Sequence, residues 1–182
     1  MKIKSLLALV FSATFFLECS AAEADIQEKQ MEIGKLYYQN LLDNRPGESY
    51  ELLSSKDKES FSKEQFSRVI NMKTAILNKD RVVTIKGATI EESDENMAVV
   101  KVSAELSSPQ TNEVKNIKAT QLLLKEGGEW KIYSAHTIVS ALMQAKAVCD
   151  SDYPLPKEGK ENACYVYYGT KEPVKKAATV VN

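Results

Sequence analysis

The chain has one histidine, one tryptophan and three cysteines among its 182 residues. A single histidine rules out an H-E-x-x-H zinc site, and no G-x-S-x-G elbow, glycine-rich phosphate loop or calcium-loop spacing is present. The common hydrolase, nucleotide-binding and calcium-binding classes therefore have no foothold. Charge of one sign is also missing. Twenty-four Lys and Arg offset 25 Asp and Glu, for a net charge of −1, which gives no pull toward nucleic acid or an anionic membrane. There is no internal repeat and no low-complexity block. No apolar run is long enough to span a bilayer, which takes roughly 20 residues.

What is present begins at the N-terminus. Lys2 and Lys4 precede an uncharged apolar run, Leu6 to Leu17, followed by the small residues Ser20, Ala21, Ala22 and Ala24. Basic, apolar, then small is the plan of a secretory signal peptide. Residues 1–24 are expected to be removed and the working protein to be periplasmic or secreted, with no transmembrane helix in the mature chain. Cys19 offers an alternative, a lipoprotein acylated there. Glu18 stands where such sites carry a small residue, so cleavage after Ala22 or Ala24 is favoured. The remainder has the size of one domain, and 43% hydrophobic with 27% charged residues is an ordinary globular balance.

The two cysteines left after the leader, Cys149 and Cys164, flank a stretch holding Pro154, Pro156 and Gly159. In an exported chain they read as one structural disulfide. A redox pair would sit closer, as C-x-x-C, and two thiols with one distant histidine make a poor metal site. No metal and no cofactor are expected.

Periodicity orders the rest. Ile26 to Asp43 is predicted as a helix with Asp25 as its N-cap and Ile26, Gln30, Ile33, Tyr37 and Leu41 on one stripe, widened by Leu36. A short helix is expected over Ser49 to Leu53 and another turn over Lys56 to Ser60. Ser62-Lys63-Glu64-Gln65 fits a capping box opening a third helix. Its inward stripe is Phe66, Val69, Ile70, Lys73, Ile76 and Leu77, with Lys73 the one exception. At Asp80 the period changes to two. Strands are predicted over Arg81 to Thr89, Met97 to Leu106, Asn116 to Lys125 and Glu129 to Thr137. Ala98, Val100, Val102, Ala104 and Leu106 share a face, Gly127-Gly128 makes a tight hairpin, and Trp130, Ile132, Ser134 and His136 share a face. Ile138 to Ala147 reads as a short helix and Cys164 to Tyr168 as a short strand. Helices followed by an antiparallel meander make an α+β fold, N-terminal helices packed on a curved four-stranded sheet.

Tyr37-Tyr38-x-x-Leu41-Leu42, Glu51-Leu52-Leu53-Ser54, the Ser62 to Leu77 helix and Glu129-Trp130-Lys131-Ile132 come in an order similar to that of the ketosteroid-isomerase-like, or nuclear-transport-factor-two-like, cone fold. The resemblance is greatest to small exported bacterial members of unassigned activity. It covers Asp25 to Thr137. It implies a cone-fold domain over residues 25–137, a cavity at the open end, a disulfide-closed extension over 138–169 and a flexible tail over 170–182. Two copies can pair through the open sheet face in this superfamily, a point on which the mixed outer face of Met97 to Leu106 is silent.

Candidates for chemistry are few. His136 has no partner carboxylate or nucleophile on its strand and reads as a buried structural residue. Asp80 is the nearest positional match to the general base of cone-fold isomerases, but Asp is also common where a strand begins. Tyr37, Trp130 and His136 are the candidates for lining a ligand cavity. Tyr165, Tyr167 and Tyr168, with Tyr153 across the loop, form either a contact surface or an aromatic lid over the cone's open end. The expectation is a non-enzymatic binding or interaction domain of the cell envelope, taking a partner protein or a small apolar ligand. The alternative is an isomerase-like or dehydratase-like enzyme using Asp80 and His136.

Overall fold

The computed structural model describes residues 6–77, 81–151 and 154–172. Four helices lead: α1 (Leu6–Leu42), α2 (Pro46–Glu51), α3 (Ser55–Ser60) and α4 (Lys63–Leu77). Four strands follow, β1 (Val82–Ser93), β2 (Met97–Ser107), β3 (Val114–Glu126) and β4 (Glu129–Tyr133), then α5 (Ala135–Asp150) and α6 (Lys157–Tyr168). The strands form one antiparallel sheet in chain order. This is the expected α+β arrangement. Among the described residues no helix is long and apolar enough to cross a membrane.

The sheet's inner face follows from a period of two. On β2, Ala98, Val100, Val102, Ala104 and Leu106 are all buried. Register places Ile90, Ala88 and Ile85 of β1 and Leu123, Gln121 and Ala119 of β3 beside them. Two register shifts interrupt β1, between Ile85 and Gly87 and between Ile90 and Glu92. Extra residues of this kind bend a strand and raise its twist, which curls the sheet around the helices. Gly127 and Gly128 both have positive φ, 59° and 88°, as the two-residue β3–β4 turn requires. The edge of β4 is covered by the segment after α2. Ser54 N–H donates to the Ile132 carbonyl at 2.7 Å, and Ile132 N–H donates to that of Leu52 at 2.8 Å.

The helices pack for local reasons that are mostly readable. Ser62 Oγ accepts from Gln65 N–H at 3.2 Å and Gln65 Oε1 accepts from Ser62 N–H at 3.0 Å, closing the capping box of α4. Phe66, Val69 and Ile70 then bury the inner stripe of that helix. Phe66 stacks on Phe61 and meets Tyr50, centroids 6.0 and 5.8 Å apart. α1 crosses the sheet at Gly34, where an added Cβ would lie 2.9 Å from Val100 Cγ1, so no larger residue fits without a shift. Gln30, fully buried on the same stripe, is satisfied by Ser93 at 3.1 Å.

Several expectations are corrected. Asp25 does not cap a helix; it lies inside α1 and pairs with Lys29 at 2.7 Å. Ala21-Ala22-Glu23-Ala24 are strong helix formers, so the helix runs on through them. Ile26 and Leu36 are exposed, 39% and 47%, and the inward stripe is Gln30, Gly34, Tyr37 and Leu41 with Ile33 partly covered. Pro46 starts α2 three residues earlier than expected, consistent with proline's preference for a first helical position. Lys56 to Ser60 belongs to a helix, so four helices, not three, precede the sheet. β4 stops at Tyr133, and His136 is exposed in the first turn of α5 rather than buried on a strand. Cys164 to Tyr168 is helical: it is the second half of α6. Cys149 and Cys164 are bridged and both fully buried, joining α5 to α6 as a helical pair.

Candidate functional site

The space between α1, α4, the start of α5 and the curled sheet is not filled. A cavity of about 330 Å³ remains, with walls largely apolar: Leu41 and Leu42 from α1, Ile70 from α4, Val83, Ile85, Val102, Ala104, Ile117 and Ala119 from the sheet, Ile138 from α5. The small residues Ala104 and Ala119 are what leave room. Ile117, 40% exposed, marks where the cavity meets solvent.

A few polar groups punctuate this surface. Tyr38 hydroxyl donates to Gln121 Oε1 across a long 3.5 Å. Gln121 in turn donates through Nε2 to the Tyr133 carbonyl at 2.9 Å and to that of Leu122 at 3.2 Å. Its amide is thereby held with the oxygen toward Tyr38. Tyr37 packs edge-on to Tyr38 with centroids 5.2 Å apart. Burial raises the pKa of both phenols above the ordinary tyrosine value, so both stay neutral. The Ser134 side chain tempers the rise for Tyr37, yet Ser134 Oγ meets no partner at hydrogen-bond geometry. Lys73 is half-buried and, among the described residues, is the one charged side chain lining the cavity. Burial lowers its pKa below the ordinary lysine value.

Beneath the α5 end lies a group that sequence reasoning missed. Asp57 of α3 is completely buried, and its Oδ2 accepts the Ser134 N–H at 2.9 Å. Ser134 is the N-cap residue of α5, but its own side chain makes no cap bond. A carboxylate from a different helix therefore does the capping, where the helix dipole favours negative charge. Burial nonetheless wins over these bonds and raises the Asp57 pKa. Asp57 Oδ1 has no hydrogen-bond partner among the described residues.

The candidates named from sequence do not converge. Tyr37 lines the cavity. Trp130 packs in the core with Lys125 Nζ 5.7 Å from its ring centroid, and is not among the lining residues. His136 faces solvent on α5 and does not line it either. Asp80 and Tyr153 lie outside the described residues. The tyrosines of α6 are no lid. Tyr167 and Tyr168 meet edge to face with centroids 4.7 Å apart, Tyr168 hydroxyl donates to Asp150 at 3.0 Å, and none of them lines the cavity. Arg68 of α4 holds that helix end instead, donating to the Val166 and Tyr167 carbonyls at 3.0 and 3.3 Å. Among the described residues no cluster of His, Cys, Asp and Glu could hold a metal.

No protein-family model matches the chain, and no curated protein matches it. Among solved structures, a Campylobacter jejuni protein described as an NTF2-like transpeptidase is similar at 12% identity and a TM-score of 0.38, over 57% of this chain and 95% of that one. So distant a likeness assigns neither family nor activity, and the reading of the site rests on its own geometry.

Proposed function

We propose that this protein is an exported, non-enzymatic binding domain of the cell envelope that holds a small, mainly apolar ligand between its helices and the concave sheet. The observation that carries the reading is the cavity. Its volume stands at the lower end of the roughly 300–1,000 Å³ typical of ligand sites, and apolar walls with a few fixed polar groups are their usual make-up. Among the described residues no carboxylate or imidazole lines it, so the described lining offers no general acid–base pair for an isomerase-like reaction. The basic, apolar, small order of residues 1–24 supports export, as does the buried Cys149–Cys164 bridge. The order of helices and strands fits the cone-fold resemblance.

The test is thermal unfolding with neutral apolar compounds of about ten non-hydrogen atoms. A ligand at 100 times its dissociation constant stabilises by about 2.7 kcal/mol, a rise of several degrees. Ala119→Phe should fill the space and abolish the shift, with the fluorescence of Trp130, which does not line the cavity, unchanged. No shift with any compound, or an equal shift in Ala119→Phe, defeats the reading. Intact mass of the protein from its own cells tests export: loss of residues 1–24 supports cleavage, an acyl mass on Cys19 the lipoprotein alternative, and a retained leader neither.

A further inference from the structure

Lys73 has no reason to be where it is on packing grounds. It occupies the inward stripe of α4, between Ile70 and the end of the helix, where every neighbour on the stripe is apolar. Several other lysines find carboxylates, as Lys29, Lys63, Lys86, Lys131 and Lys146 do at 3.0 Å or less; what sets Lys73 apart is that it lines an apolar cavity. Lys73 makes no ion pair and no hydrogen bond among the described residues. Among the described residues, the elements that line the cavity with it present Tyr38 and Leu41 from α1, Val83 and Ile85 from β1, and Thr137 from α5, none of them acidic. A half-buried ammonium without a counter-charge costs free energy that a ligand can return.

Resting on the cavity reading above, we propose that the ligand is an anionic amphiphile: a monocarboxylate with an unbranched or compact aliphatic body, its acid group paired with the Lys73 ammonium. The apolar walls take the body. Gln121 is already committed through its amide, and Tyr38 to Gln121, so neither selects a charge. Lys73 alone discriminates acids from neutral and cationic amphiphiles. At roughly 30 Å³ for each non-hydrogen atom, the share of one liquid water, about 330 Å³ accommodates about ten such atoms. That is the size of octanoate. Larger polycyclic bodies are excluded unless the sheet opens.

The experiment compares octanoate, octanol and octylammonium by calorimetry with the purified chain at neutral pH and low salt. Octanoate is expected to bind at least about tenfold more tightly than octanol, and octylammonium most weakly. Lys73→Met, which keeps the stem's packing, should bring octanoate down to octanol while leaving octanol unchanged. Lys73→Arg should retain the preference for the acid, which a purely structural role for Lys73 would not predict. Equal binding of octanoate and octanol by the native chain, or an acid preference that survives in Lys73→Met, overturns this inference and leaves the cavity reading standing. Binding of none of the three overturns both.

Discussion

Replacing Asp57 by alanine removes the acceptor that caps α5. The Ser134 N–H, now 2.9 Å from Asp57 Oδ2, would be left buried and unpaired, and Ser134 itself makes no compensating cap bond. Loss of a cap costs about 1 kcal/mol and an orphaned buried donor about 1–3 kcal/mol. Removing a carboxylate that burial disfavours returns part of this. The net expectation is a destabilisation of about 2 kcal/mol, or about 6 °C in melting temperature for a chain of this size. Asp57→Asn keeps an acceptor oxygen and discards the charge, so it should stay within about 1 kcal/mol of the native chain at neutral pH. The pH dependence separates the two contributions. Burial raises the Asp57 pKa above its ordinary 3.8, so the folded chain takes up this proton more readily than the unfolded one. The stability it contributes is full below that ordinary value and is lost as pH rises through the folded value. The native chain should therefore gain on Asp57→Asn as pH falls from 7 toward 4, measured by urea unfolding at each pH. An Asp57→Ala variant that melts with the native chain would refute the capping role. A gap that moves the other way with pH would show that the helix terminus, not burial, governs this carboxyl.

Two further outcomes follow from the packing. Gly34→Ala should destabilise by about 1–3 kcal/mol, because its Cβ would meet Val100 Cγ1 at 2.9 Å, and overpacking of this kind outweighs alanine's helix preference of about 1 kcal/mol. Gly34→Ala with Val100→Ala should recover part of the loss in chemical denaturation, and a stabilised single variant would contradict the close approach. Replacing Cys149 and Cys164 together by alanine should lower unfolding free energy by about 3 kcal/mol for a closed loop of this length. A urea midpoint that the oxidised chain shares with this variant would contradict it.

How far the fold was legible depends on how local its causes are. The inner face of β2 is readable because one side packs and the other is wetted, and a period of two records that directly. The α4 capping box is readable because its donors and acceptors lie within four residues. α6 was not. Tyr165, Val166, Tyr167 and Tyr168 have strand-like propensities, and tertiary contacts hold them in a helix: the bond from Cys164 to a helical Cys149, the burial of Val166, and Arg68 gripping the Val166 and Tyr167 carbonyls. The end of β4 was missed for a similar reason. What stops the strand at Tyr133 is the carboxylate of Asp57, 77 residues earlier in the chain. The candidate site was legible only in fragments. Tyr37 and the anomaly of Lys73 were visible on their helices, whereas the Tyr38–Gln121 pair spans 83 residues and leaves no pattern in the sequence.

The bridge between α5 and α6 fastens one helix to another, and neither of its cysteines is among the described residues that line the cavity, which meets only the first turn of α5. Reducing the bridge is therefore expected to change the stability of the helical pair more than it changes the lining. What the sulfur–sulfur bond adds is endurance, because it ties to α5 the helix whose end Arg68 grips.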